Sequence, residues 1–442
     1  MTQPAQAAGL RAYGRALAAL KRDTRIFLVA TALYAIGFPG ISTVLLGLYI
    51  LRLGFDLPFV GIVIGSGQLA AVLMALPAGW VGRRFGLRTS LILGLVGTAL
   101  GAAAMFSVEL APKPLWGAWL IGWWIVLFFP ATLYFVNGVP YLMGVSEPAE
   151  RSHAFSFLQG LQGFGAFTGS LLAGVLVDLL SRWPVAAAEP AAPYRYALFG
   201  IVASIVAAAL VMSRTGRMPE DQRDALPADD AAYGSSRAPA QAPEPRQSRA
   251  APISLFIWFG LVVVLESTGV GARTFFSVYL DKNFGIPAVN IGVVMGLALL
   301  LAVFAALLAP LVIKRLGTAL TVGLATLGAA LSMLMMALLP VWLAAAAAQI
   351  GTMVCLALAY PARNMLGQES VSARWRTSIS AISLMGSTLA MAGMNLTGGY
   401  FIAVYGFNDL FLLGGILVAA SAVLMLAYWR WHAARTGVSV FN

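Results

Sequence analysis

Charged residues are scarce in this chain of 442 residues. Asp, Glu, Lys and Arg together make up 10% of the sequence, whereas soluble globular domains contain about 25%. Hydrophobic residues account for 60% of the chain. This composition excludes a water-soluble enzyme, and it indicates that a lipid bilayer is the solvent for most of the chain.

Cysteine and histidine are nearly absent. The single cysteine, Cys355, sits in an apolar stretch, which excludes a disulfide framework and a thiol cluster for a metal. The two histidines, His153 and His432, lie far apart in sequence, which leaves few possible metal ligands. Both lie at the cytoplasmic edges of the predicted spans, so no Ser/His/Asp set can be assembled. The chain also has no Gly-Lys-Ser/Thr loop that could cradle phosphates. We therefore expect no enzymatic activity, no metal, no cofactor and no direct use of ATP.

Long apolar runs dominate what is present. A helix needs about 20 mostly apolar residues to cross the hydrocarbon core, and twelve runs meet this length. They cover residues 26–51, 59–81, 89–108, 115–142, 155–180, 196–213, 253–279, 289–313, 319–339, 342–365, 378–404 and 410–429. We expect an all-α membrane protein with twelve transmembrane helices, numbered here as spans one to twelve.

The basic residues predict the topology. Lys and Arg number 28 against 17 Asp and Glu, for a net charge of +11. With both termini in the cytoplasm, 21 of the 28 fall on the cytoplasmic side and only two lie within spans, as the positive-inside bias requires. We expect an integral protein of the cell (inner) membrane with both termini cytoplasmic. The same bias accounts for the net charge without a nucleic-acid partner.

The composition changes abruptly between spans six and seven. Residues 214–250 are rich in Pro, Ala, Asp, Ser and Arg, and their six Arg balance six acids. Such a segment is typical of a flexible linker and is unsuited to binding nucleic acid. It divides the chain into an N-terminal six-helix bundle (1–213), a cytoplasmic linker (214–250) and a C-terminal six-helix bundle (251–442).

The two halves repeat each other. One constant shift of 231 positions aligns glycines and basic residues through two spans and the loop that follows them. It pairs Gly54 with Gly285, Gly61 with Gly292, Gly65 with Gly296, Arg83 with Lys314, Arg84 with Arg315 and Gly86 with Gly317. This repeat predicts two homologous bundles in parallel order.

The loop between spans two and three, residues 79–88, reads GWVGRRFGLR. It resembles the loop motif of the major facilitator superfamily: Gly, three residues, Asp, a basic residue, one residue, Gly, one residue, a basic residue. Gly79, Arg84, Gly86 and Arg88 match this motif, and Arg83 stands where the family has its acid. The resemblance covers the chain outside the termini and the linker.

The resemblance implies two pseudo-symmetric six-helix bundles that move a small solute by alternating access, with spans one, four, seven and ten lining the path. Its motif loop would act as a cytoplasmic gate, in which Arg83, Arg84 and Arg88 dock on helix ends of the other bundle. The alternative is that these arginines only set the topology.

Two other functions stay open. A drug or multidrug efflux antiporter of the same superfamily is one, although span four has no Arg and span five lacks a Gly-Pro pair. A membrane receptor or scaffold that transports nothing is the other.

Three charged residues lie deep in the spans, where each costs at least about 2.5 to 3.5 kcal/mol. Glu266, in the middle of span seven, is our candidate for proton coupling, and its alternative role is that of a structural buried acid. Arg273 lies seven residues later, on nearly the same face but about 10 Å along the axis. The partner of each must therefore come from another span, from water or from a substrate.

The two deep arginines have several candidate roles. Arg273 offers a permanent positive charge to a carboxylate or phosphate, but it could also counter Glu266 from a distance or extend outward to the surface. Arg363, toward the inner end of span ten, either extends to the surface or forms an inner gate.

Uncharged polar residues complete the predicted substrate cavity, although each could instead form an interhelical hydrogen bond. They are Tyr34, Gln68, Tyr134, Asn137, Gln159, Gln162, Gln349, Tyr360, Asn364 and Asn395. Four tryptophans at the start of span four, Trp116, Trp119, Trp123 and Trp124, are interpreted as an interfacial aromatic belt. The expected partners are a small-molecule substrate, the lipid bilayer and protons, and we expect a monomer.

Overall fold

The computed structural model describes residues 20–147, 150–183, 189–216, 253–371 and 375–436. Within these ranges it contains no β-strand and twelve helices that are long and apolar enough to cross a membrane. We label them α1 (Arg22–Arg52), α2 (Leu57–Phe85), α3 (Leu87–Phe106), α4 (Lys113–Val145), α5 (His153–Ser181), α6 (Ala192–Ser213), α7 (Ile253–Phe284), α8 (Ala288–Leu316), α9 (Thr318–Leu338), α10 (Trp342–Glu369), α11 (Ser378–Tyr405) and α12 (Phe407–Tyr428).

The twelve predicted spans are confirmed, and most helices begin or end a few residues outside the apolar run that predicted them. A helix satisfies its own backbone hydrogen bonds, which hydrocarbon requires. Polar residues then mark the ends. At the start of α2, the Asp56 carboxylate accepts a hydrogen bond from the Phe59 N–H at 3.0 Å, and α2 ends at Gly86, whose φ is +87°.

The two halves of the chain repeat each other in backbone conformation as they do in sequence. Gly54 and Gly285, paired by the shift of 231 positions, both have positive φ, at +96° and +63°. Gly86 and Gly317, the next pair, also have positive φ and join α2 to α3 and α8 to α9. A side chain is strained in this conformation, so the same four turns require glycine. The two pseudo-symmetric six-helix bundles are confirmed.

The first helix of each bundle is interrupted near its middle. In α1 a π-helical turn, Ile36–Ile41, surrounds Pro39, which cannot donate a backbone hydrogen bond. In α7 a 3₁₀ turn, Ala272–Phe275, separates two α-helical segments. This second interruption carries Arg273.

We call the end of the molecule at which α6 finishes and α7 begins the linker end, and the end at which α1 and α7 finish the far end. The bundles meet through α2 against α11 and α5 against α8. Close approach depends on glycine: the Asn395 carbonyl fills the space that a Cβ of Gly61 would need. A Cβ on Gly174 would lie 2.5 Å from the Cα of Val289.

The helix faces that touch at the far end are exposed at the linker end. On α2, Gly65 contacts α11, whereas Leu76, three turns later on the same face, is 86% exposed. On α8, Gly296 contacts α5, whereas Leu307, three turns later, is 57% exposed. The structure is therefore closed at the far end and open at the linker end.

The predicted boundaries at 213/214 and 250/251 fall in or beside residues 217–252, which lie outside the described residues. The same holds for residues 1–19 and 437–442. The linker and the position of the chain termini stay predictions.

Candidate functional site

Glu266 and Arg363 form a buried ion pair between α7 and α10. The distance from Glu266 Oε1 to Arg363 Nη1 is 2.7 Å, and the two residues are 5% and 3% exposed. The guanidinium also lies over the Tyr360 ring, 5.3 Å from its centroid. Arg363 therefore points into the protein rather than to the surface in this conformation. Because a lone buried charge is costly, each residue depends on the other.

Arg273 has a different environment. Its Nη1 donates to the Met353 sulfur on α10, and a thioether is a weak acceptor. Its Nε is buried and has no hydrogen-bond partner. Among the described residues, no carboxylate forms an ion pair with Arg273. Glu266 and Arg273 thus share the face of α7 that meets α10, as their spacing predicted, but only Glu266 has a charged partner there.

Gln349 is a further buried polar residue on α10. It lies one helical turn before Met353, is 1% exposed, and its amide nitrogen donates to the Met295 sulfur on α8 at 3.6 Å. Its Oε1 is buried without a hydrogen-bond partner. An unsatisfied amide oxygen in a protein interior costs free energy, which a ligand or water can recover.

The first bundle contributes a stack of aromatic rings. Tyr34 on α1 stacks on Tyr134 on α4 with ring centroids 4.9 Å apart. The Tyr134 hydroxyl shares a 2.8 Å hydrogen bond with the Thr31 hydroxyl, whereas the buried Tyr34 hydroxyl has no partner. On the other side of Tyr34, Phe38 continues the stack to Trp124.

The placement of Trp124 corrects the sequence interpretation. We predicted an interfacial belt residue, but Trp124 is 5% exposed and packs against Phe38 and Phe128 inside the first bundle. Its indole N–H is buried without a partner. The four tryptophans were grouped because they are adjacent in sequence, whereas the helix turns them to different sides. Phe38 was missed because an apolar aromatic in a span carries no distinguishing signal.

The remaining polar candidates are placed differently from one another. Asn137 is buried, and its amide donates to the carbonyls of Ala78 and Leu133 at 3.1 and 2.9 Å. It therefore fixes α4 against α2. Gln159 and Tyr360 are exposed, and Gln162 and Asn364 are partly exposed. These four lie in the linker-end halves of α5 and α10.

The motif loop makes its contacts within the first bundle. Arg88 donates to the Ser213 carbonyl at 2.7 Å and to the Thr215 carbonyl at 2.9 Å, which ties the start of α3 to the end of α6. Arg84 lies over the Trp80 ring, 5.3 Å from its centroid, and Arg83 is exposed. Gly79 lies within α2, and Gly86 forms the turn.

Two polar contacts close the far end, and the sequence reasoning missed both as pairs. Arg52 on α1 donates to Asp281 on α7 at 2.6 Å. Deeper in, the Asn395 amide on α11 donates to the Gln68 oxygen on α2 at 2.8 Å. Each contact joins the two bundles across more than half of the chain, so local sequence patterns could not reveal it.

The described residues contain no group of three or more His, Cys, Asp or Glu side chains that could hold a metal ion. The described polar and aromatic candidates form two groups: aromatic rings on α1 and α4 of the first bundle, and single charges and an amide on α7, α8 and α10 of the second.

The family model of the Major Facilitator Superfamily matches residues 27–394. No match to a curated protein sequence is found. Among solved structures, the fold is similar to a bacterial homologue of the iron transporter ferroportin in its inward-facing state, at 12% identity and a TM-score of 0.72, covering 92% of this chain and 98% of that one.

Two further solved structures are similar. The xylose transporter XylE from E. coli in its inward open conformation has 15% identity and a TM-score of 0.69, covering 91% of this chain and 94% of that one. The nucleoside transporter NupG has 13% identity and a TM-score of 0.69, covering 92% and 99%. At these identities the likeness extends to the fold alone.

Proposed function

The chain belongs to the Major Facilitator Superfamily, and from this membership we propose that it is a secondary active transporter that moves a small solute by alternating access, coupled to protons. One observation carries the proposal. The faces of α2 and α8 that contact the other bundle at the far end are exposed at the linker end. A rocking motion that joined the exposed parts and separated the contacts at the far end would carry a central site from one side of the membrane to the other.

Coupling is assigned to the Glu266–Arg363 pair. In this conformation the Glu266 carboxylate lies 2.7 Å from the Arg363 guanidinium, which is its counter-ion. If the linker end faces the cytoplasm, as the basic residues predict, this is the state expected after a proton has been released to the cytoplasm. Protonation of Glu266 would break the ion pair and leave Arg363 without its counter-ion, so the energy of the pair differs between the two protonation states.

The test is solute flux in proteoliposomes. Purified protein is reconstituted, a pH gradient is imposed, and uptake is measured across a broad panel of solutes with and without a protonophore. We expect at least one solute to accumulate against its gradient, and accumulation to collapse when the protonophore is added. Absence of flux for every solute would favour the receptor or scaffold. Flux that ignores pH would leave a transporter without proton coupling.

A further inference from the structure

The buried charges of the second bundle do not balance. Glu266 forms an ion pair with Arg363, with 2.7 Å between Oε1 and Nη1. Arg273 lies on the same face of α7, toward the far end, and no carboxylate among the described residues pairs with it. The interior between α7 and α10 therefore carries one positive charge in excess.

The surroundings of Arg273 do not compensate this charge. Within the described ranges, its guanidinium donates to the Met353 sulfur alone, and its buried Nε has no acceptor. The neighbouring turn of α10 presents Gln349, whose buried Oε1 is also unpartnered. An arginine does not readily relieve its burial by losing a proton, because the delocalised guanidinium keeps its charge in proteins. A guanidinium held under these conditions needs an anion, and none of the described residues supplies one.

We infer that the transported solute carries an oxyanion, a carboxylate or a phosphate, which binds Arg273. The inference rests on the proposed transport function and names its substrate class. A guanidinium presents planar paired donors that match the oxygens of either group. Gln349, next to Met353 on α10, is placed to hydrogen-bond the uncharged part of the solute. The 3₁₀ turn Ala272–Phe275 sets Arg273 at the interruption of α7, where the helix departs from regular geometry.

The experiment compares matched pairs of solutes. Each acid is measured beside its uncharged counterpart, for example lactate beside lactamide, benzoate beside benzamide and phosphoserine beside serine, within a broad panel of small carboxylates and phosphate esters. The readouts are stabilisation of the purified protein against thermal unfolding and uptake into proteoliposomes. We expect an acid to bind and its uncharged counterpart to fail, and the carboxylate and phosphate arms then identify the oxyanion.

Variants connect the binding to Arg273. Arg273→Met keeps the length and removes the charge, and we expect it to weaken binding of the acid by about tenfold to a hundredfold. Arg273→Lys should recover part of the affinity, because it keeps the charge but not the paired donors. Arg182→Met removes the same charge from an exposed position directly after α5 and should leave binding unchanged. If Arg273→Met fails to fold, the solute pairs on the wild type and the Lys variant still decide.

Failure of this inference can be separated from failure of the proposed function. If the protein transports only uncharged solutes, or if folded Arg273→Met binds the acid as tightly as the wild type, the oxyanion assignment is overturned and the transport function stands. If no solute of either kind is transported, the proposed function fails and the assignment fails with it.

Discussion

Glu266 and Arg363 neutralise each other inside the protein, one from α7 and one from α10, with 2.7 Å between Oε1 and Nη1. Neither has another charged partner among the described residues. A proton that enters this pair changes the number of uncompensated charges, which is the property a coupling site requires.

Glu266→Gln should abolish coupling to the pH gradient without abolishing transport. The amide keeps the size of the side chain and cannot titrate, so we expect uptake driven by a pH gradient to be lost while solute exchange without a gradient persists. In proteoliposomes, uptake measures the transport driven by a pH gradient, and counterflow measures the exchange without a gradient. Glu147→Gln is the control, because Glu147 also pairs with a basic residue, Lys21, but is exposed. A Gln variant that still concentrates solute in response to pH would remove Glu266 from the coupling mechanism.

The Arg52–Asp281 pair should stabilise the closed far end. Arg52→Ala removes a charged hydrogen bond between the bundles, worth about 1.5 to 3 kcal/mol, so the far end should open more often. A cysteine at Val278, which is buried against Gly47, reports this opening in a Cys355→Ser background. We expect faster labelling in Arg52→Ala, and recovery when the charges are exchanged in Arg52→Asp with Asp281→Arg. Equal labelling in all three proteins would mean that the pair does not hold the far end closed.

Two glycines on α5 offer a matched test of the bundle contact. Gly174→Ala places a Cβ 2.5 Å from the Cα of Val289 and 2.6 Å from the Ala288 carbonyl on α8, and overpacking of this kind costs about 1 to 3 kcal/mol. Gly160→Ala meets no atom within 4 Å, and both changes gain the same helix propensity. We expect only Gly174→Ala to speed labelling of the cysteine at Val278. If both variants speed labelling equally, the effect comes from helix propensity and not from the contact between the bundles.

Arg84 and Arg88 are predicted to stabilise the state that is closed at the linker end. In the open state described here they contact only their own bundle, so replacing both with Ala should disfavour the closed state without a matching loss in the open one. Labelling of a cysteine at Leu76 should then rise severalfold, whereas Arg430→Ala, an exposed charge on the helix that continues α12, should leave it unchanged. Unchanged labelling and transport in the double variant would reduce the two arginines to topology determinants.

The sequence predicted the helices and the repeat because both are local or periodic properties. Hydropathy located the twelve spans, and one constant shift matched glycines that now prove to share a positive φ at Gly54, Gly285, Gly86 and Gly317. Helix periodicity also placed Glu266 and Arg273 on nearly the same face of span seven.

Pairings between helices that are distant in sequence could not be predicted from the sequence. Glu266 and Arg363 were each identified as deep charges, but their partnership depends on how α7 crosses α10. Arg363 lies near the end of its apolar run, which equally suited a side chain that reaches the surface. Trp124 was misplaced for a related reason: sequence proximity to other tryptophans does not tell which side of α4 faces the bundle interior.

One chain should alternate between an opening at the linker end and an opening at the far end. Distances between spin labels test this alternation most directly. One pair joins Leu76→Cys on α2 with Leu384→Cys on α11 at the linker end, and the other joins Ser181→Cys on α5 with Asn290→Cys on α8 at the far end, each in a Cys355→Ser background. Pulsed electron resonance is recorded at low and high pH, with and without a transported solute. We expect two populations for each pair, with the far-end distance growing as the linker-end distance shrinks. If each pair shows a single distance that changes with neither pH nor solute, the chain does not alternate between the two openings.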